Sequence, residues 1–331
     1  MFIEGSLGQS EEMSPLPKDH FVLIPSPAFL VGVSMAKTES NLSYLLSEYA
    51  SMFELLAHHV GGENIRIVRN SVATLKKTGT SQRTFTRRNF SFPDIKNFQN
   101  ITLGAAANYS TVWVRDGFQA IDPYTFINPA YFPGINESQT IKKSMLSEGG
   151  MVLHAQRVVL VSDALWQTRR TDRGFNCLEE AGYVIAPLPE VIQSKQKYEF
   201  NEAHIDGHAA LIVDKNQRLQ LLVAESYSRQ GNGTRKDITR AAEAIGAGVF
   251  EIDDRNLVPL SLNLVQFEDG SIIVSKGQSN DLIFVLQNMV GEDKVLITEV
   301  PIVQIPQFLF GSIRCLINII PKSFLETISV S

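Results

Sequence analysis

The chain has 331 residues, 30 Lys and Arg against 35 Asp and Glu, a formal net charge of -5 and 44% hydrophobic residues. These figures exclude a disordered or collagen-like chain, and the mild acidity gives no general affinity for nucleic acid. A chain of this length buries roughly three-quarters of its unfolded surface, enough for one large domain or two ordinary ones.

Residues 1–19 are polar and acidic and hold Pro15 and Pro17, which predicts a flexible N-terminal tail ahead of a single domain over 20–331. Met1 to Gly5 lacks a basic region followed by an apolar core, so no secretory signal is expected. His20–Pro25 is the first predicted strand. Leu42, Leu45, Leu46, Tyr49, Met52, Leu55, Leu56 and His59 recur at spacings of three and four and predict a long helix over 41–60. Gly61-Gly62 ends it, and 65–68 reads as the next strand. Between Arg66 and Arg88 there are seven Lys or Arg and no Asp or Glu, which reads as a solvated loop and helix face, since no nucleic-acid motif accompanies it. Six Asn-x-Ser/Thr triplets carry no weight without a signal peptide.

The second half repeats. A hairpin over 151–155 and 157–161 precedes a helix around 165–181 and a strand at 183–187. A second hairpin, 209–213 and 219–223 around Asp214-Lys215-Asn216, precedes a helix at 234–247 and a strand at 248–252. A third unit has 262–267 and 271–275 around Glu268-Asp269-Gly270, a helix at 281–290 and a strand at 294–298. Hairpin, helix and strand thus recur about every 55 residues. Neither common glycine-rich phosphate loop is present. The most apolar stretch, 305–320, is broken by Gln307 and Arg314, so no membrane helix is expected.

Four short segments fall at or near strand ends in this pattern: Trp113-Val114-Arg115-Asp116, Glu148-Gly149-Gly150, His204-Ile205-Asp206-Gly207 and Gly311-Ser312-Ile313-Arg314-Cys315. Each alone is weak, and a lone Cys in an apolar strand is usually a small buried hydrophobe. On a strand, His204 and Asp206 share a face while Ile205 turns to the core, with His208 next along the same face. His154, His58 and His59 read as core-edge or surface residues, and Cys177 as a structural residue of the 165–181 helix. Cys177 and Cys315 form no disulfide framework, which fits a reducing, cytoplasmic setting. Carboxylates and an imidazole around a thiol suit a guanidinium, a planar cation with five N–H donors that paired carboxylates can grip from two edges.

The order W-x-R-D, E-G-G, H-x-D and a C-terminal G-x-x-R-C resembles the guanidine-modifying, or pentein, superfamily of deiminases, dimethylarginine hydrolases and amidinotransferases, over about residues 20–322. The resemblance implies an α+β propeller of five ββαβ modules around a pseudo-five-fold axis. It implies Cys315 as nucleophile, His204 as general acid and base, Glu148 as the carboxylate that orients it, Asp116 and Asp206 as the guanidinium clamp, and Trp113 as pocket wall. The implied activity is cysteine-dependent hydrolysis of a small guanidino substrate of arginine metabolism, such as arginine or agmatine, through an amidino-thioether. Amidino transfer, a dimethylarginine-type hydrolysis or a non-catalytic binding module on the same fold are the alternatives. No cofactor, metal, nucleic acid or membrane is implied, and assembly into a homo-oligomer is left open. The chain departs from agmatine deiminases after W-x-R-D, where Gly117-Phe118-Gln119 replaces the usual x-G-P. It departs again at Arg314, which precedes Cys315 as in arginine deiminases, where agmatine deiminases have His.

Overall fold

A computed structural model describes residues 20–25, 27, 38–69, 100–102, 119–122, 125–127, 140–141, 144–147, 149–191, 204–255, 260–309 and 311–322. The N-terminal segment 1–19 and all of the basic stretch beyond Arg69 lie outside the described residues.

The chain begins with β1 (His20–Pro25), α1 (Glu39–Val60), β2 (Ile65–Arg69) and β3 (Asn100–Thr102). Thr38 caps α1 by accepting the amide of Asn41, and Gly61, at φ 82°, ends it where a side chain would be strained. The apolar face read from the sequence is buried, from Leu42 through Leu45, Tyr49, Met52 and Leu56 to Val60.

Short strands β4 (Gln119–Asp122), β5 (Thr125–Ile127) and β6 (Thr140–Ile141) form a sheet of their own. Three further sheets follow in chain order. The first has β7 (Val152–Ala155), β8 (Val158–Ser162), the helices α2 (Asp163–Trp166) and α3 (Arg173–Glu180), and β9 (Val184–Leu188). The second has β10 (Ala209–Val213), β11 (Leu219–Ala224), helices α4 (Glu225–Ser228) and α5 (Thr234–Ile245), and β12 (Gly248–Ile252). The third has β13 (Val265–Gln266), β14 (Ile272–Val274), α6 (Asn280–Val290) and β15 (Val295–Ile297). The chain closes through α7 (Gln304–Leu309), α8 (Ile313–Leu316) and β16 (Asn318–Pro321).

One rule governs the sheets: an antiparallel pair, then a third strand parallel to the second, reached across a helix where one is described. The first sheet obeys it across the chain ends, because β16 supplies the antiparallel partner of β1 and β2 runs parallel to β1. The described residues therefore form a mixed α+β structure with five small sheets. Each sheet is too small to bury both faces, and packing the inner strands together supplies the core. Leu153, Leu160, Ile212, Leu221, Ile272 and Val274 belong to one continuous cluster spanning three sheets.

The 165–181 helix of the sequence reading is two helices. Ser162 caps the first by accepting the amide of Leu165, and Asp172 caps the second by accepting the amide of Gly174. Two caps in one amphipathic stretch split it. Cys177, on α3, is a free, exposed thiol. Among the described residues no helix is long and apolar enough to cross a membrane.

Two polar anchors lie in this frame. Buried Glu48 on α1 accepts the amides of Gln304 (2.7 Å) and Ile305 (2.9 Å), and Ser51 accepts those of Glu299 (2.8 Å) and Val300 (3.2 Å). Helix α1 thereby holds the segment that leads into α8. Asp214, in the β10–β11 turn, accepts bonds from the amides of Asn216 and Arg218 and from the side chains of Arg218 and Gln220. Burial pushes the Asp214 carboxyl up, but these four donors outweigh it and hold the group at about 2.

Glu48→Ala leaves two helix-start amides without a partner and should cost about 2 kcal/mol, read as a lower urea midpoint. Because the folded Asp214 carboxyl lies below its ordinary 3.8, its stabilisation is complete above that pH and is lost as pH falls toward about 2. Asp214→Ala should therefore flatten the fall of the urea midpoint across that window; an unchanged slope would remove the linkage.

Candidate active site

The one-turn helix α8 carries Arg314 and Cys315 into the interior, where their exposures are 6% and 9%. Its start is held by Asn263, just ahead of β13. The Asn263 backbone carbonyl accepts the Arg314 amide (3.2 Å), and its side-chain oxygen accepts the Cys315 amide (3.3 Å). That orientation turns the Asn263 Nδ2 donor toward Asp206 Oδ2 (2.8 Å) and Cys315 Sγ (3.3 Å). The thiol donates to the same Asp206 Oδ2 at 3.5 Å, and Arg314 Nη1 donates to it at 3.0 Å. Three groups thus converge on one carboxylate oxygen of a residue that is 3% exposed.

The His204–His208 segment is a turn, not the strand the alternation suggested; β10 starts at Ala209. Its shape comes from backbone bonds to another sheet: the amides of Ile205 (2.8 Å) and Asp206 (3.2 Å) both donate to the Gly150 carbonyl. Ile205 is fully buried, as expected, and anchors the turn in the core. The His204 ring lies directly against the Gly150 Cα, so closely that a Cβ at residue 150 would overlap it. Leu260, held at φ 57°, sets its side chain over Gly207 in the same way. A left-handed leucine is a strained feature of the kind that gathers at functional sites.

His208 stacks obliquely near Tyr227, with ring centroids 6.0 Å apart. Burial pushes its imidazole below the ordinary value, and the charges of Asp254 and Asp206 only partly restore it. Behind Arg314, a cavity of about 30 Å³ lined by Leu153, His154, Ile212, Leu264 and Gln266 has room for about one water. Among the described residues, no group of three His, Cys, Asp or Glu side chains could hold a metal ion.

Of the residues singled out in the sequence, the fold brings Cys315 and Asp206 into contact and sets His204 against the neighbouring 149–151 turn. Trp113, Asp116 and Glu148 lie outside the described residues, as does Arg115. Cys315 sits on a helical turn and not in a strand. Asn263, which touches both Cys315 and Asp206, escaped the sequence reading. Its signal was faint: one amide among the apolar residues of Leu260-Ser261-Leu262-Asn263-Leu264-Val265.

No protein-family profile and no curated protein sequence matches this chain. Solved structures do match. C. jejuni agmatine deiminase superposes with a TM-score of 0.56 at 17% identity, over 94% of this chain and 96% of that one. Agmatine deiminase of Enterococcus faecalis gives 0.53 at 10% identity, over 94% and 95%. An amidinotransferase from Microseira wollei gives 0.50 at 13%, over 89% and 92%. The chain shares its fold with these enzymes. At such identities the likeness speaks for the fold alone, and the chemistry has to be argued from the residues.

Gly150→Ala should push the His204 ring off its seat with little loss of fold. The His204 NMR signals should shift while the urea midpoint stays near the parent value. A variant with unmoved signals would show that the close packing has no consequence.

Proposed function

We propose that this protein is a cysteine-dependent hydrolase of a small guanidino compound, of the arginine or agmatine deiminase type. The observation that carries the reading is a buried thiol in hydrogen-bond contact with a buried carboxylate, in a fold shared with an agmatine deiminase and an amidinotransferase. The five sheets are taken as modules closed around a pseudo-five-fold axis within one domain over 20–331. The working setting is cytoplasmic, within arginine metabolism, and needs no organic or metal cofactor.

In this reading the Asp206 carboxylate receives the guanidinium from one edge and Asp116 from another. Bringing a cation beside Cys315 favours its thiolate. The sulfur attacks the guanidinium carbon, forming a C–S bond. The tetrahedral adduct collapses as protonated His204, oriented by Glu148, gives its proton to the departing nitrogen, which leaves as an amine or ammonia. An amidino-thioether remains on Cys315. His204, now neutral, takes a proton from water as its oxygen attacks the same carbon, and collapse of that adduct expels the thiolate and releases a ureido product. Each proton transfer by a positioned side chain contributes about 10²–10⁴-fold. Trp113 would form the wall over the guanidinium plane.

A screen of arginine, agmatine, methylated arginines and an arginyl peptide, scored for ureido product and for released amine, tests this directly. Cys315→Ala should lower turnover by at least about 10³-fold with the fold intact. His204→Asn should let a covalent amidino-enzyme accumulate, visible as a mass increase on the Cys315 peptide. Ureido formation by Cys315→Ala at the parent rate would end the mechanism. Product formation that depends on an added amine acceptor would replace hydrolysis by amidino transfer.

A further inference from the structure

Arg314 is a guanidinium built into what we read as a guanidinium site. It is 6% exposed, and a buried arginine is tolerated only when its donors and charge are met. Three of its guanidinium bonds reach the other half of the site. Nη1 donates to the Gly149 carbonyl (2.8 Å) and to Asp206 Oδ2 (3.0 Å), and Nη2 donates to the Val152 carbonyl (2.6 Å). The residues between those two carbonyls include Gly150, whose own carbonyl fixes Ile205 and Asp206 and whose Cα seats the His204 ring. One planar fork therefore joins the thiol-bearing turn to the turn that carries the imidazole and the carboxylate. A lysine ammonium is a point donor on a flexible stem and cannot reproduce that geometry.

The same fork determines what Asp206 offers. Oδ2 takes Arg314, Asn263 and the Cys315 thiol, whereas no donor among the described residues reaches Oδ1. We infer that Arg314 is a positioning residue: it compensates the buried Asp206 charge, turns Oδ2 to the Cys315 thiol, and leaves Oδ1 for an N–H of the substrate. Assigning Oδ1 to a guanidinium rests on the function proposed above. The control of Cys315 through Asp206 does not.

Among the described residues, Asp206 meets the thiol and Arg314 meets Asp206, with His204 and His208 in the turn that carries Asp206 and Asp254 acting on His208. Without Arg314, thiolate formation would put a second negative charge beside an uncompensated carboxylate. Ionisation of Cys315 should then require a higher pH.

The test is the pH dependence of Cys315 alkylation by iodoacetamide in the full chain, quantified on the Cys315 peptide because Cys177 is also exposed to reagent. Arg314→Met should raise the midpoint by about one pH unit, the ordinary effect of a lost neighbouring charge. Arg314→Lys should raise it by less, and Arg314→Met combined with Asp206→Asn should bring it back toward the parent. Should Arg314→Met fail to fold, the double variant is expected to fold, because removing both members of a buried pair is tolerated better than removing one. Should both fail, the Lys variant decides. A midpoint that stays at the parent value in every folded variant, whatever their melting temperatures, overturns the inference. The readout uses no substrate, so a chain that turns over no guanidino compound yet shows these shifts would sink the proposed function and leave Arg314's role standing; normal turnover with an unmoved midpoint would do the reverse.

Discussion

A single carboxylate oxygen organises the interior of this protein. Asp206 Oδ2 is reached by Asn263 from 57 residues away, by Arg314 from 108 and by Cys315 from 109. No local propensity brings such residues together. They meet because three separate local devices converge: the 204–208 turn bonded to Gly150, the side-chain amide of Asn263 ahead of β13, and the one-turn helix α8. Each device would leave buried polar groups unmet without the others. Asp206 would be an uncompensated buried charge without Arg314, and Asn263 would lose both ends of its amide without Cys315 and Asp206. The site is therefore a condition on the packing of the sheets as much as a product of it.

The scaffold around that oxygen explains how a four-residue helix can be held firmly. Helix α8 is far too short to persist alone. Its upstream segment is fastened to α1 through Glu48 and Ser51, and downstream β16 pairs with β1, joining the two ends of the chain. Ile302, Ile305, Ile313, Leu316 and Ile317 bury themselves in the same cluster as Leu45, Tyr49, Met52 and Leu56. The placement of Cys315 thus depends on apolar contacts made by the first helix, some 260 residues earlier in the chain, so a core substitution in α1 would reach the thiol without touching it.

Much of the architecture was legible in the chain. The repeat of hairpin, helix and strand showed in apolar periodicity, and β12 matched its expected span of 248–252, because local pattern and tertiary demand agree there. Legibility failed where tertiary hydrogen bonds overrule local pattern. The alternation around His204 to His208 looks like a strand, yet Ile205 and Asp206 give their amides to Gly150 and form a turn. The apolar run around Cys315 looks like a strand, yet Asn263 caps it into a helix. Asn263 itself was unreadable, since one amide among leucines carries no spacing signal; its meaning is entirely three-dimensional. Cys315 and Asp206 could be named only through an ordered set of short motifs, of which the first, with Glu148 of the second, falls on residues the structure does not describe.

What the cluster cannot be explained by is stability. Buried ion pairs roughly break even with well-packed apolar residues of the same volume, and often do worse. Leucine- or methionine-like side chains at 206, 263, 314 and 315 would fill the same space with no carboxylate to compensate, no guanidinium to desolvate and no amide to satisfy at both ends. The surrounding core, with Leu153, Leu264 and Ile212 at its edge, is already of that kind. A thiol set on a carboxylate, with that carboxylate's charge held by a fork tied to two backbone carbonyls, is an expensive way to pack an interior and an economical way to keep a sulfur beside a fixed negative oxygen. Under the proposed function such an arrangement has chemical sense, because a cation arriving to share the carboxylate would favour ionisation of the sulfur as it attacks.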